Sequence, residues 1–286
     1  MARIADLHLH TTASDGTLTP RELVLLAKEE GISTVAVTDH DTVSGIKEAR
    51  ENLPDGMTLI GGVEFSCISE TDPPFLFHLL GYGVDPDSEK VISVVDYGYS
   101  ERLHKHERRL EYMKRAWNIV FTDDEKEYFS TRPAVGRLHI AEVLKRRGLA
   151  STVGEAINKY MSSAEFPEGS LPSGMAIGGI LGAGGIPVYA HPLGGECEVR
   201  ISHEECERRV MILKEAGVLG LECYYSRYSE EDEEFLLSLA GRHGLLVSGG
   251  SDFHGKNKTV RIGCLSKSGI RIDEDRLSVL KNIKQN

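Results

Sequence analysis

Short apolar runs rich in β-branched residues alternate with helical stretches at both ends of this chain, and each run carries a histidine or a carboxylate. RIADLHLH reads as a buried strand closing on polar residues. Thr19-Pro20 then starts a helix, with threonine as N-cap and proline at the first helical position, and RELVLLAKEE runs on to Gly31. STVAVTDHD is a second strand, 44–52 a short helix, and MTLIGGVEFS and PFLFHLLGYG follow as strands beyond a Pro54-Asp55-Gly56 turn. Alternation of this kind predicts parallel βαβ units.

The alternation stops between about residues 89 and 173 and returns after it. The interrupting stretch is dense in Glu, Arg, Lys and His and predicts helices over 100–117, 134–147 and 153–162. We read residues 1–88 and 174–286 as one barrel domain and 89–173 as a helical insertion contributing to substrate recognition. In the second half, AIGGILGAGG predicts a helix, IPVYAHP a strand, SHEECERRVMILKEAG a helix, VLGLECYY a strand, SEEDEEFLLSLAGRHG a helix and LLVSGGSDFHG a strand. The tail IDEDRLSVLKNIKQN predicts a terminal helix. The glycines of GILGAGGIP precede a strand instead of joining strand to helix, so they do not form a dinucleotide-binding loop.

Six of the eleven histidines, His8, His10, His40, His78, His191 and His254, fall at or near strand ends, with Asp15, Glu64 and Asp252 close by. A lone strand-end histidine is ordinarily a surface or satisfied core residue. In an α/β barrel, however, the C-terminal strand ends converge on one face, and nine such residues there point to divalent-metal ligation. Imidazole with carboxylate suits Mn, Fe and Zn. His8 and His10 share one face of a strand because side chains repeat every two residues, and Asp252 and His254 repeat that spacing. Of Asp39 and Asp41, one is expected to reach the site and the other to orient a ligand. Glu222 is expected behind the ligands or as a polar core residue. His104, His106, His203 and His243 lie among charges on predicted helices and read as solvated or structural.

A net charge of −11 argues against a protein that coats duplex nucleic acid, since that requires neutralising phosphates. It leaves room for a small phosphorylated substrate, because bound metals invert the local potential. No apolar stretch is long enough for a bilayer and no signal-peptide core is visible, so a cytoplasmic protein without a membrane partner is expected. Five cysteines without a CxxC pair fit reduced thiols, with Cys67 and Cys223 as core residues.

The motifs LHLHTTASDGTLTP, VAVTDHDTVSG, GVEFS, HLLGYG, AHP and GSDFHG closely resemble, in order, those of the polymerase-and-histidinol-phosphatase (PHP) superfamily. The resemblance runs from residue 3 to about 265 and is weakest in the insertion. It implies a distorted seven-stranded (β/α)7 barrel with two or three divalent metal ions, Mn2+ first among them, with Fe2+ or Zn2+ as alternatives. It further implies one metal held by His8, His10, Glu64 and Asp252, a second bridged by Glu64 and held with His78 and His191, and a third held by Asp15, His40 and His254. His191, His254 and Asp252 are the residues it places closest to the chemistry.

The stand-alone bacterial phosphoesterases it resembles most act on nucleoside phosphates, 3′,5′-bisphosphates, RNA 5′ ends or cyclic sugar phosphates. The expected activity is hydrolysis of nucleoside mono- or 3′,5′-bisphosphates by attack of a metal-activated water. A phosphodiesterase acting on a cyclic sugar phosphate is the alternative, and a non-catalytic metal-binding module the reading from another class. Arg137 and His139 in VGRLHIA resemble a Gly-Arg-Pro-His segment that contributes to phosphate binding, with Leu138 in the proline position. Arg132, Lys256 and Lys258 are further phosphate-binding candidates.

Overall fold

The computed structural model describes residues 3–132, 135–163, 171–196 and 198–283. Cys197, the first residue of the predicted helix at 134 and the last three residues of the predicted tail helix lie outside them. The chain divides into two compact units, one formed by 1–95 with 171–286 and the other by 96–170.

The first unit opens with β1 (Ala5–Leu9), α1 (Pro20–Glu29), β2 (Thr34–Val37), α2 (Gly45–Glu51), β3 (Thr58–Ile68) and β4 (Leu76–Tyr82). At the start of α1 the Thr19 hydroxyl accepts from Glu22 N at 3.2 Å, and the Glu22 carboxylate accepts from Thr19 N at 2.8 Å. That reciprocal cap, with Pro20 behind it, satisfies amides no helical carbonyl can reach. Helix α3 (Glu89–Trp117) follows, starting earlier than the charged pattern predicts, and runs across the boundary between the units.

The second unit continues with α4 (Asp123–Ser130), α5 (Arg137–Arg146) and α6 (Val153–Tyr160). It has an apolar core of its own, including Met113, Phe121, Phe129, Ile140, Leu144 and Tyr160. The first unit resumes with β5 (Leu171–Pro172), α7 (Ser173–Gly182), β6 (Ile186–Tyr189), α8 (His203–Glu215), β7 (Gly220–Tyr225), α9 (Glu230–His243) and β8 (Leu246–Gly250).

Seven strands stand in the order β1-β2-β3-β4-β6-β7-β8, with the two-residue β5 beside β3. Strands β1, β2, β6 and β7 are buried throughout, as expected where a sheet is covered on both faces. The sheet nearly closes on itself: Asp252 N donates to His8 O at 2.9 Å and His10 N to Phe253 O at 3.0 Å. The fold is thus a seven-stranded α/β barrel.

Its distortion has a simple origin. The sequence pattern predicts parallel units, but β4 runs antiparallel to both β3 and β6. Only residues 69–75 link β3 to β4, too few for the crossover that a parallel pair needs. His78 therefore lies near the start of its strand, yet on the same barrel face as the C-terminal ends of the others.

The predicted terminal helix is not formed over the described residues. Its described part makes only 3-10 turns at Glu274–Arg276 and Ser278–Lys281. Leu277 and Val279 are buried in the core, and Ser278 Oγ accepts from Val247 N at 2.8 Å, an edge-binding role that an amphipathic helix would forfeit.

Barrel closure depends on Gly250. A Cβ there would lie 2.1 Å from His8 Cβ and 2.5 Å from His8 N, atoms that cannot step aside. Gly250→Ala is expected to destabilise the fold by about 1–3 kcal/mol through overpacking. The check is a shift of the urea midpoint at unchanged slope.

Candidate metal centre

The mouth of the barrel gathers all nine strand-end residues. His8 comes from β1 and His10 from just beyond it, Asp15 from the β1–α1 loop and His40 from the turn after β2. Glu64 projects from the middle of β3 and His78 from β4, while His191, Asp252 and His254 follow β6 and β8. Glu64 sits at the centre. Its Oε2 lies 3.3 Å from His8 Nε2, 3.2 Å from His10 Nε2 and 3.1 Å from His40 Nδ1. Its Oε1 lies 3.0 Å from His78 Nδ1 and 3.1 Å from His191 Nε2.

Ligand atoms within 4.8 Å of one another form four overlapping groups: His8, His10 and Asp252; His40, Glu64 and His78; His10, Asp15, His40 and His254; and His78, His191 and Glu198.

These residues fit a divalent cation on a second count. His8 Nε2, both ring nitrogens of His10, His40 Nδ1 and Glu64 Oε2 are buried without a partner in hydrogen-bond geometry. An unmet buried polar atom costs about 1–3 kcal/mol, so His8 Nε2, His10 Nε2 and His40 Nδ1 gathered on Glu64 Oε2, with His10 Nδ1 turned toward Asp15, mark a place built for coordination instead of hydrogen bonding. Charge is arranged accordingly. Burial alone would raise the Glu64 pKa, but His8, His40 and His78 outweigh it and hold the carboxyl well below the usual range. Asp252 is likewise held down against burial, by Lys258, His8 and His254. Burial pushes His40 well below the ordinary imidazole range, and also lowers His254. Glu64 and Asp252 thus present anionic oxygens and His40 and His254 uncharged nitrogens, whereas around His8, His10 and His191 the neighbouring carboxylates outweigh burial and raise the imidazole pKa.

Outside this ring, hydrogen bonds orient the rings. His8 Nδ1 meets Glu222 Oε1 at 2.9 Å, and the other Glu222 oxygen accepts from His191 N at 2.7 Å, so the buried Glu222 ties β1 to the turn after β6. His254 Nδ1 lies 2.9 Å from Asp252 O and its Nε2 3.2 Å from Asp15 Oδ1. Asp252 Oδ2 accepts from Tyr225 Oη at 2.8 Å and from Lys258 Nζ at 2.6 Å.

Asp39 accepts from Thr11 N, Thr11 Oγ1 and Ser14 Oγ at 2.6–2.8 Å and so holds the loop that carries Asp15. Asp41 accepts from Ser66 N at 2.9 Å. Among the described residues, neither belongs to one of the four ligand groups. His191, Asp252 and Asp41 have φ of 27°, 59° and 52°. Non-glycine residues seldom adopt such values, and strain of this kind concentrates where a site fixes its geometry.

The other predicted residues are placed as follows. Lys258 borders the centre through Asp252, whereas Lys256 is exposed and bonds Thr17 Oγ1 through its backbone. Within the second unit, Arg137 opens α5. His139 is buried, and its Nδ1 accepts from Gly136 N at 3.1 Å, capping the same helix. Arg132 is exposed with its guanidinium 4.3 Å from the centroid of the Tyr128 ring. Sequence reasoning missed Glu198 and Tyr225. Glu198 lies in an irregular loop and Tyr225 ends a strand of apolar appearance, so neither follows a periodicity that betrays its role.

The PHP domain family profile matches residues 6–153. The chain is 31% identical over 268 residues to the Escherichia coli 5′-3′ exoribonuclease Rnm, covering 92% of this chain and 89% of that one. It is 30% identical over 260 residues to the 3′,5′-nucleoside bisphosphate phosphatase of Chromobacterium violaceum, covering 89% and 88%. A crystal structure from Bifidobacterium adolescentis, provisionally described as a metal-dependent phosphoesterase, superposes with a TM-score of 0.80 at 31% identity, over 99% of this chain and 96% of that one. With the ring of histidines and carboxylates at the mouth of a seven-stranded barrel, these whole-length likenesses place the chain in the PHP domain family, among its metal-dependent phosphoesterases.

Proposed function

We propose that this phosphoric ester hydrolase acts on nucleoside mono- or 3′,5′-bisphosphates, using two or three divalent metal ions of which Mn2+ is the first choice. The observation that carries the reading is the convergence on Glu64 of five imidazoles with unmet buried ligand atoms around them. His8, His10, Glu64 and Asp252 would hold one ion, Glu64 with His78 and His191 a second, and Asp15, His40 and His254 a third. When bound, divalent ions acidify water to a nucleophile at neutral pH and offset charge on the phosphoryl oxygens.

The chain's own residues do the rest. Glu222 and the Asp252 carbonyl set the tautomers of His8 and His254, keeping the other ring nitrogen turned inward. Tyr225 and Lys258 occupy Asp252 Oδ2, which leaves Oδ1 facing His8 and His10. Most of the ring is buried, with His40, Asp15 and His78 partly exposed, and burial strengthens the charge interactions inside it. The second unit contributes to substrate recognition in this reading, through Arg137. A cytoplasmic setting suits the free thiols of Cys67, Cys206, Cys223 and Cys264. Among the described residues no helix is long and apolar enough to cross a membrane.

The test is phosphate release from a panel with Mn2+ present: a nucleoside monophosphate, a 3′,5′-bisphosphate, a cyclic ribose phosphate, a 5′-phosphorylated RNA oligonucleotide and an aryl phosphate. Fastest turnover of the mono- or bisphosphate supports the reading. Preference for the cyclic ester or the RNA reassigns the substrate, and no turnover of any member rejects it.

Arg137→Ala is expected to lower kcat/KM about 30- to 1,000-fold with metal content unchanged, because a guanidinium grips phosphate through paired charge-assisted bonds. Arg137→Lys restores little, since an ammonium cannot make the bidentate contact. Values within twofold of wild type for both variants would remove Arg137 from substrate binding.

A further inference from the structure

Two imidazoles of the centre are backed by carboxylates in the same way. His8 turns Nε2 to Glu64 Oε2 at 3.3 Å and Nδ1 to Glu222 Oε1 at 2.9 Å. His191 turns Nε2 to Glu64 Oε1 at 3.1 Å and Nδ1 to Glu198 Oε2 at 3.2 Å. A neutral imidazole carries one N–H and one lone pair, and the partner of one nitrogen decides the state of the other. A carboxylate only accepts. With an ion seated between Nε2 and Glu64, the carboxylate behind Nδ1 would keep the hydrogen there and leave the Nε2 lone pair for the ion.

Glu198 is itself held for this task. Gly195 N donates to its Oε2 at 2.7 Å, and Gly195 has no room for a side chain, because a Cβ would lie 2.9 Å from His191 Nδ1. The His191 backbone, at φ 27°, is strained, so external support fixes where its ring points. The two pairs differ in one respect. Glu222 is fully buried in β7, whereas the Glu198 side chain is 30% exposed and lines a cavity of about 410 Å3 with Arg200, Arg227 and Lys267.

We propose that Glu198 is a positioning residue that fixes the tautomer and direction of His191 toward the second metal position, the loop-borne counterpart of Glu222 behind His8. The proposal rests on the metal-centre reading above and adds to it a residue outside the nine ligands.

The test needs no turnover. Full-length apoprotein is titrated with Mn2+ by calorimetry and with Co2+ by visible absorption, for wild type, Glu198→Ala and Glu198→Gln. Glu198→Ala is expected to weaken one binding event 10- to 100-fold, the usual effect of removing a residue that orients a ligand, and to shift the corresponding Co2+ band. The remaining events stay as in wild type. Glu198→Gln is expected to recover most of the loss, since its amide oxygen still accepts from Nδ1. Unchanged affinities in Glu198→Ala overturn the proposal. So does equal loss in both variants, which would make Glu198 a direct ligand. Metal-free thermal midpoints matching wild type exclude a folding defect, and where Glu198→Ala falls short of that, Glu198→Leu, which fills the same space without an acceptor, takes its place against Glu198→Gln and wild type. A wild-type chain that binds less than one ion overturns the metal-centre reading itself, a distinguishable result.

Discussion

Glu64→Gln is expected to lower kcat/KM by about 10³-fold or more and to remove at least one metal ion from the chain. Among the described residues no other side chain reaches so many candidate ligands: its two oxygens lie 3.0–3.3 Å from nitrogens of His8, His10, His40, His78 and His191. Glutamine preserves the shape but deletes the charge and turns one oxygen into a donor, which faces a cation with the wrong polarity. Each factor of ten in rate is about 1.4 kcal/mol. Loss of a fully buried carboxylate from a charge-stabilising site costs on the order of 4 kcal/mol or more, hence the thousandfold. Elemental analysis and kcat/KM on the best substrate are read together, with circular dichroism as the folding control. Wild-type metal content with activity within tenfold would remove Glu64 from the centre of the site.

Exhaustive chelation is expected to reduce activity by at least about 10⁴-fold, with recovery on adding Mn2+. Stability should move with it. A ligand bound only by the folded chain stabilises it by about 4 kcal/mol at a thousandfold excess over its Kd. For a domain of this size that corresponds to a Tm higher by roughly 10 °C. The apoprotein is therefore expected to melt lower and to regain its Tm in proportion to the ion restored. Full activity after metal removal, verified by elemental analysis, would rule out metal-dependent hydrolysis.

Much of the site was legible because strand periodicity is short and exact in effect. His8 and His10 are two apart at the end of β1 and so share a face, whereas Asp252 and His254 lie beyond β8, with Asp252 at φ 59°, and are brought together by the loop and not by the strand period on which the sequence reading relied. His78 was legible as a candidate ligand for a partly wrong reason. It lies near the beginning of β4, and only the reversal of that strand brings it to the common face. Local cues also settled α1, through Thr19, Pro20 and Glu22. They failed at the C-terminus, where the pattern of Leu277, Val279 and Leu280 fits a helix. The segment instead spends those residues sealing the end of β8 in two 3-10 turns.

The sequence alone determined the fold class, the nine candidate ligands and the interruption of the barrel by a helical segment, because each is written in residue type and spacing along a single element. Tertiary structure decided what depends on residues far apart in the chain. Glu222 lies 214 positions from His8, yet orients its ring. Glu198 meets His191 only because a glycine-bearing loop folds back over it. Asp39 forgoes the metal position to hold Thr11 and Ser14, and Lys258 is drawn to Asp252. Hydrogen-bond partners of this kind are chosen by distance and angle in space, and neither quantity is carried by periodicity.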